Sequence, residues 1–361
     1  MSRQHLYSRI FDDIKEKILS GEIHAGDYIP PISALRSAFG VSHITVLHAL
    51  KELAAEGLIA KDPGCGYVAA ELPNPNIYVG CLLRSNSVSG RDQYFNEIIS
   101  GVQNAALTAG VNMVFPYSSA MFPSFPKFQQ EIVRTALQMK SLVKGYLLDE
   151  WLSDNSISEI VKATGRPVVL VNRPTQLPVH AVCSDDRGGI RKMFQTLRSM
   201  KYECFIYADS GWKTPSQLER RAAFSASAAD SGMGEDRAKI LSSASPRLPD
   251  SYYFNELRRC LRDFSGKGRT VIMASADIIA KMILDDLLEN GFRIPGDVGV
   301  TGFGGVALGQ LTPPALTTLK VDTVSLGETA MRLLCSLIRG NLTDPSLKHQ
   351  QMPTLMFGDT I

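Results

Sequence analysis

Cysteine is scarce and scattered in this chain of 361 residues. Six thiols, Cys65, Cys81, Cys183, Cys204, Cys260 and Cys335, include no CxxC pair. That spacing excludes a zinc ribbon and a disulfide framework, and it predicts reduced thiols of the kind a cytoplasmic protein keeps. Long apolar runs are missing as well. No stretch approaches the roughly 20 residues of a membrane span, and Met1 to Arg9 carries Arg3 and Arg9 with no apolar run behind them. The expectation is a cytoplasmic chain with no membrane partner. An excess of one charge is also lacking: 38 Lys and Arg stand against 36 Asp and Glu, so bulk electrostatics do not announce a polyanion. Walker A, HExxH and GxSxG are absent, and Ser210-x-x-Lys213 and Ser124-x-x-Lys127 lack the companion motifs of a serine nucleophile. No enzyme, cofactor or metal site is expected. Short repeats and low-complexity tracts are absent too.

What is present is a chain long enough for a small domain and a two-lobed one. Up to Ala70 the pattern is helical with one tight turn. Glu71-Leu72-Pro73-Asn74-Pro75-Asn76 then places two prolines close together, the composition of an extended, stiff linker. The predicted division is 1–70, a linker over 71–76, and 77–361. Beyond the linker, short apolar runs alternate with amphipathic stretches. The runs are Ile77 to Leu83, Met113 to Tyr117, Tyr146 to Leu148, Val168 to Val171, Cys204 to Tyr207, Val271 to Ala274 and Val298 to Thr301. Helices are predicted near Phe95 to Ala109 and Phe128 to Lys140. The alternation predicts parallel, doubly wound α/β sheets buried on both faces.

In the first segment Leu6, Ile10, Ile14 and Ile18 recur every fourth residue, one apolar helical face that stops near Ser20-Gly21. A second helix is expected from Ile32 to Phe39, ending at Gly40. Ser42 is placed to cap a third, with Val46, Leu50 and Leu53 inward and Gly57 at its end. Helix, tight turn and helix allow the last of them to enter a major groove. Strands Leu58 to Ala60 and Tyr67 to Ala69 around Pro63-Gly64-Cys65-Gly66 make a wing. The whole run, with Ile18-Leu19-Ser20-Gly21-Glu22-Ile23, Gly40-Val41-Ser42, Thr45-Val46, Ala49-Leu50, Glu56-Gly57-Leu58-Ile59 and Gly64-x-Gly66, resembles the winged helix-turn-helix of the GntR family.

The resemblance implies double-stranded operator DNA as a partner. Its contact candidates are Ser33, Ser42, His43, Thr45, His48, Lys61, Gly64, Gly66 and Tyr67. Each histidine could equally be an exposed bystander, and Tyr67 could be packing. Family members usually carry arginine where this chain has Ser33, His43 and Leu47, so base contacts should differ. Through Leu72 seven Lys and Arg face nine Asp and Glu, so attraction to phosphate should be modest and salt-sensitive.

The longer segment resembles the effector domain of LacI/GalR-type repressors, which has the fold of periplasmic sugar-binding proteins. The stretches that carry this are Pro167-Val168-Val169-Leu170-Val171-Asn172-Arg173, Asp185-Asp186-Arg187-Gly188-Gly189, Arg220-x-x-Ala223-Phe224, Ala276-Asp277-Ile278-Ile279-Ala280, Gly291-Phe292-Arg293-Ile294-Pro295 and Pro313-Pro314-Ala315-Leu316-Thr317-Thr318. The resemblance implies a small-molecule effector, a sugar or a derivative, held between two lobes. It also implies a homodimer and, most often in such families, repression of sugar-utilisation genes. Arg220 matches a ligand-contacting arginine and Ser216 a further contact position. Tyr94 and Phe95 match an aromatic pair. Asn172, Arg173, Asp149 and Asp277 join them as ligand candidates, although Arg173 could be a surface ion pair and Asp277 a helix cap.

One departure stands out. Many relatives place an aspartate where this chain has Gly304, within Gly302-Phe303-Gly304-Gly305. Either Asp149, Glu150 or Asp277 replaces that acceptor, or the ligand is not a simple sugar. The same run satisfies G-x-G-x-x-A, but Pro313-Pro314 leaves no room for the crossover helix of a dinucleotide site. The sequence also admits two other readings: a binding protein without DNA function, and a regulator whose effector pocket has degenerated.

Overall fold

A computed structural model describes residues 3–20, 22–70, 77–83, 93–115, 125–243, 250–307, 313–342 and 344–361. The chain separates into two compact units, Met1–Asn76 and Ile77–Ile361. The predicted linker, 71–76, lies outside the described residues.

The first unit has α1 (Arg3–Ser20), α2 (Ile32–Phe39), α3 (His43–Ala55) and the hairpin β1 (Ile59–Asp62) with β2 (Gly66–Ala69). Its core is the meeting of the apolar stripes read from the sequence: Ile10, Ile14 and Ile18 against Val46, Ala49, Leu50 and Leu53, closed by Ile29 and Leu35. Burial of such side chains is what holds a unit of this size together, at roughly 1.5–3 kcal/mol for each large aliphatic. Gly40 ends α2 at φ 65°, and its N–H returns to Arg36, the left-handed stop that glycine tolerates best. The hairpin is antiparallel, Ile59 opposite Ala69 and Lys61 opposite Tyr67. Tyr28 adds a bridge to Val68 and ties its hydroxyl to Asp62 at 2.7 Å.

The second unit holds two six-stranded sheets. The first is built from β3 (Tyr78–Leu82), β4 (Asn112–Val114), β5 (Gly145–Leu148), β6 (Val168–Val171), β7 (His180–Ser184) and β13 (Lys348–Gln351), in the order β13-β7-β6-β5-β3-β4. The second has β8 (Tyr202–Asp209), β9 (Ala238–Ser242), β10 (Arg269–Ala274), β11 (Gly299–Gly304), β12 (Thr317–Lys320) and β14 (Thr354–Met356), in the order β14-β12-β11-β10-β8-β9. Among the described residues all pairings of these two sheets are parallel except β12 with β14, a small departure from the all-parallel expectation. The strand predicted over Met113 to Tyr117 ends at Val114, and residues 116–117 lie outside the described ones.

Helices cover both faces of each sheet, which is why the strands read as apolar runs rather than alternating ones. One continuous core runs through both lobes, between the sheets and α4 (Gln93–Ala109), α7 (Asp186–Ser199), α8 (Pro215–Asp230) and α11 (Thr323–Ile338). The outer face of the first sheet packs on α5 (Phe125–Met139) and α6 (Asp154–Thr164). That of the second packs on α9 (Ser251–Asp263) and α10 (Asp277–Glu289). Helices α4 and α11 approach so closely that a Cβ on Gly101 would lie 2.0 Å from the Val324 carbonyl oxygen, and one on Gly327 2.0 Å from that of Ile98. Only glycine fits this crossing. The chain passes between lobes three times, through α7, through α11, and between β13 and β14.

Candidate functional site

In the first unit the solvent face of α3 is defined by what its other face buries. With Val46, Ala49, Leu50 and Leu53 inward, the helical period turns Ile44, His48 and Lys51 outward, with His43 on the first turn. Ser42 caps this helix: its Oγ accepts from the Thr45 N–H at 3.3 Å and lies 2.9 Å from the Thr45 hydroxyl. The cap leaves the helix N-terminus pointing at solvent, a local positive end suited to a phosphate. His43 and His48 are exposed, and His48 also meets Tyr7 edge-on at 4.7 Å. Ser33 is exposed on α2, Lys61 on β1. Gly64 and Gly66 make the wing turn at φ 90° and 120°. Thr45 is half-buried beside Ser42, and Tyr67 packs against the core.

Two residues on this face escaped the sequence reading. Ile44 is 76% exposed, an apolar side chain standing off the helix's buried stripe, and that mismatch was the available signal. Lys51 is exposed on the same face. Lys15 and Lys17 are tied to Glu56 and Asp13. Among the residues whose side chains are described, Arg9, Arg36, Lys51 and Lys61 are exposed and stand outside these ion pairs.

In the second unit, loops following the carboxyl ends of strands from both sheets enclose a cleft of about 840 Å³. Glu150, Trp151 and Asp154 come from the loop after β5 and the start of α6, and Arg173 follows β6. Trp212, Lys213 and Thr214 follow β8, and Ser243 follows β9. Trp151 and Trp212, one from each lobe, meet edge to face at 4.7 Å and 88°. Asn172 sits just before Arg173 at φ 56°, a left-handed position that asparagine accepts better than most.

Behind the cleft lies a buried polar network. The Tyr94 hydroxyl donates to Asn172 Oδ1 at 2.9 Å. Arg220 donates through Nε to Asp186 at 2.6 Å and through Nη1 to the Ser275 carbonyl at 2.9 Å, and its guanidinium stacks 3.7 Å above the Phe303 ring. Ser184 donates to the other Asp186 oxygen. Ser216 donates to Glu150, a hydrogen bond that joins the two lobes. Burial pushes the Glu150 carboxyl up to about 7, with Ser216, Arg220 and Thr214 opposing and Asp149 adding to the rise. Burial likewise raises Asp186 against the pull of Arg220.

The sequence candidates therefore fall at different depths. Arg173 is in the cleft wall. Arg220, Ser216, Tyr94 and Asn172 form the network behind it, and Phe95 is half-buried against Tyr94, ring centroids 5.6 Å apart. Asp149 accepts from the Trp151 N–H at 3.0 Å and shapes the loop. Asp277 caps nothing, since the N-cap of α10 is Ala276. Its carboxylate accepts from the Thr318 hydroxyl at 2.5 Å and the Val306 N–H at 2.8 Å. The missing aspartate at Gly304 has a local reason. That residue sits at φ 126°, where a side chain is strained, and the Tyr94 ring lies 3.5 Å from where its Cβ would be. Glu150 is among the acceptors expected from the sequence, while Trp212 and Lys213 carry no sequence signal as ligand residues, since nothing in the 210–215 stretch breaks the pattern of an ordinary loop.

Residues 6–68 match the profile of bacterial regulatory proteins of the gntR family, and residues 198–361 that of the periplasmic binding protein-like domain. The chain joins a gntR-family domain to a periplasmic-binding-protein-like domain. Along nearly its whole length it is similar to the arabinose metabolism transcriptional repressor of Halalkalibacterium halodurans, 22% identical over 357 residues, with 96% of this chain and 92% of that one covered. The ribose operon repressor of the same organism is 25% identical over 304 residues, 81% and 80% covered. A shorter match, 40% identical over 79 residues, links it to the mannosyl-D-glycerate transport/metabolism system repressor MngR of Escherichia coli. It spans 22% of this chain and 33% of that protein. Among solved structures, the transcriptional regulator CelR in complex with cellobiose superposes with a TM-score of 0.66 at 19% identity, covering 89% of this chain and 91% of that one. A LacI family regulator from Enterococcus faecium with bound ribose gives 0.61 at 17%, covering 78% and 98%. Both likenesses concern the fold. No described helix is long and apolar enough to cross a membrane.

Proposed function

We propose that this gntR-family chain is a DNA-binding transcription regulator, a repressor of carbohydrate-utilisation genes released by a small molecule held between the lobes of its second unit. The observation that carries the effector half is the 840 Å³ cleft lined by loops from both sheets, at the strand ends where open α/β sheets take ligands. Supporting the DNA half is a capped helix whose outer face is left to solvent and followed by a glycine-turned hairpin. The names of the full-length relatives support repression and a sugar-class effector.

The reading has the protein working in the cytoplasm as a homodimer that sets two DNA-binding units on half-sites of a near-palindromic operator. Among its residues, Ser42, His43, Thr45 and Lys61 meet the duplex, and Arg173 meets the effector. Cleft opening and closing supply two states, and an effector shifts them to the extent that it binds one better than the other. The test uses the full chain. Duplexes selected from a random library are measured by fluorescence anisotropy, with and without a carbohydrate panel. Specific binding that one panel member weakens is expected. Failure to enrich any duplex overturns the DNA reading; enrichment that no small molecule alters overturns the effector control.

A further inference from the structure

The polar groups around the cleft are unevenly engaged. Apart from the exposed Asp154 carboxylate in its wall, which pairs with Arg173, the acceptors in and behind the wall already hold donors of the protein. Glu150 takes the Ser216 hydroxyl, Asp149 the Trp151 N–H, Asn172 Oδ1 the Tyr94 hydroxyl, and Asp277 the Thr318 hydroxyl and the Val306 N–H. Donors are in the opposite condition. Arg173 is 3% exposed, yet among the described residues only Nη2 is engaged, with Asp154, while Nε and Nη1 have no hydrogen-bond partner there. Lys213 lies exposed in the facing wall, and among the described residues no carboxylate is paired to it. A guanidinium held out of water with two nitrogens unsatisfied is costly, and a ligand that brings acceptors removes that cost.

Resting on the effector reading above, we propose that the cleft binds a carbohydrate bearing an acid group, a carboxylate or a phosphate, with the anionic oxygens seated against Arg173 and Lys213. A planar guanidinium suits either oxyanion, and charge-assisted hydrogen bonds are roughly twice as strong as neutral ones. A neutral sugar is the poorer fit. Its hydroxyls need acceptors as well as donors, the buried carboxylates already hold protein donors, and Gly304 offers no side chain. Trp151, Trp212 and Leu152 supply the apolar walls for the rest of the molecule. Burial, by pushing Glu150 up to about 7, also lessens the repulsion an anion meets there near neutral pH.

The chain has two tryptophans, and both face each other in this cleft, so intrinsic tryptophan emission reports on the site without a label. The full-length protein is titrated with galacturonate, gluconate, glucose 6-phosphate and galactose 6-phosphate, beside neutral glucose and galactose, and with acetate and inorganic phosphate as bare anions. A saturable emission change is expected for a sugar acid or a sugar phosphate at about tenfold or greater affinity over its neutral parent. Which of the two responds identifies the acid. Arg173→Gln should weaken that ligand about tenfold or more, and Lys213→Met should weaken it less. Asp154 is 61% exposed and is rehydrated when Arg173 is lost, so Arg173→Gln should stay folded, with an unchanged thermal midpoint. Equal or tighter binding of the neutral parents overturns the acid assignment and leaves the effector reading standing. So does unchanged affinity in Arg173→Gln. Silence from every compound overturns the assignment and the carbohydrate effector together, while operator binding, measured separately, decides the DNA half.

Discussion

On α3 of the first unit, His43, Ile44, His48 and Lys51 reach solvent from a helix whose other face is fully packed. In the second unit, Arg220, Asp186, Ser184, Ser216, Glu150, Tyr94 and Asn172 turn toward one another inside the protein. The difference teaches where substitution separates function from folding. A solvent-exposed face can change its residues with small effects on stability, commonly within about 0.5 kcal/mol. A closed polar network can lose no member without stranding a partner.

The widest expected gap between the two regions is at Arg220. Arg220→Ala leaves Asp186 buried without its counter-charge and should destabilise the second unit by about 3–5 kcal/mol, seen as a lower urea midpoint. The double change Arg220→Met with Asp186→Leu should recover most of the loss. A single variant as stable as the parent would show that the pair is dispensable and would erase the contrast.

Next in size is Glu150. In the folded chain its carboxyl keeps its proton to about 7, against an ordinary value of 4.5. The stability linked to it is therefore complete below pH 4.5 and is lost as pH climbs through 7. Glu150→Gln should remove that decline and exceed the parent in stability above neutrality by about 1–3 kcal/mol. Parallel stability curves from pH 4 to 8 on the order expected for an unshifted group would remove Glu150 from the buried network.

Gly327→Ala tests packing in place of charge. The added methyl would meet the Ile98 carbonyl oxygen at the α4–α11 crossing, and a loss of about 1–3 kcal/mol is expected by thermal denaturation. The smallest effect belongs to the first unit, where Ser42→Ala should cost about 1 kcal/mol of that unit's stability through the lost cap. Operator affinity should fall alongside. Loss of affinity with unchanged stability would mean that Ser42 contacts DNA and contributes little as a cap.

Periodicity made the first unit legible almost residue by residue. Ile10, Ile14 and Ile18 lie buried as read, Ser42 caps α3, and Gly40 stops α2. In the second unit β3, β5, β6, β8, β10 and β11 were legible as apolar runs, and so was the edge strand β4 over its first residues. Other strands were not: β12 is Thr-Thr-Leu-Lys, β13 is Lys-His-Gln-Gln with an almost fully exposed pattern, and β9 is only half-buried. An edge strand is set by its neighbour's backbone and leaves little mark in side-chain polarity. β7 was missed for another reason, since His180 and Ser184 interrupt a short run that tertiary burial nonetheless encloses.

The ligand candidates were legible as types and not as depths. Arg220 and Arg173 are the same residue type in sequence, but only the fold shows that Arg220 is satisfied by Asp186 and Ser275 while, among the described residues, Arg173 has two nitrogens without partners. Trp151 and Trp212 are 61 positions apart and become neighbours only when two sheets face each other.

The placement of β13 and β14 reaches beyond the cleft. They are separated only by Met352 and Pro353, yet one closes the edge of the first sheet and the other the edge of the second. Neither lobe can be completed during synthesis before residues 348–356 have left the ribosome, so both finish together. No single cut of the chain yields an intact lobe, and the crossing between the lobes is also the last seam of folding.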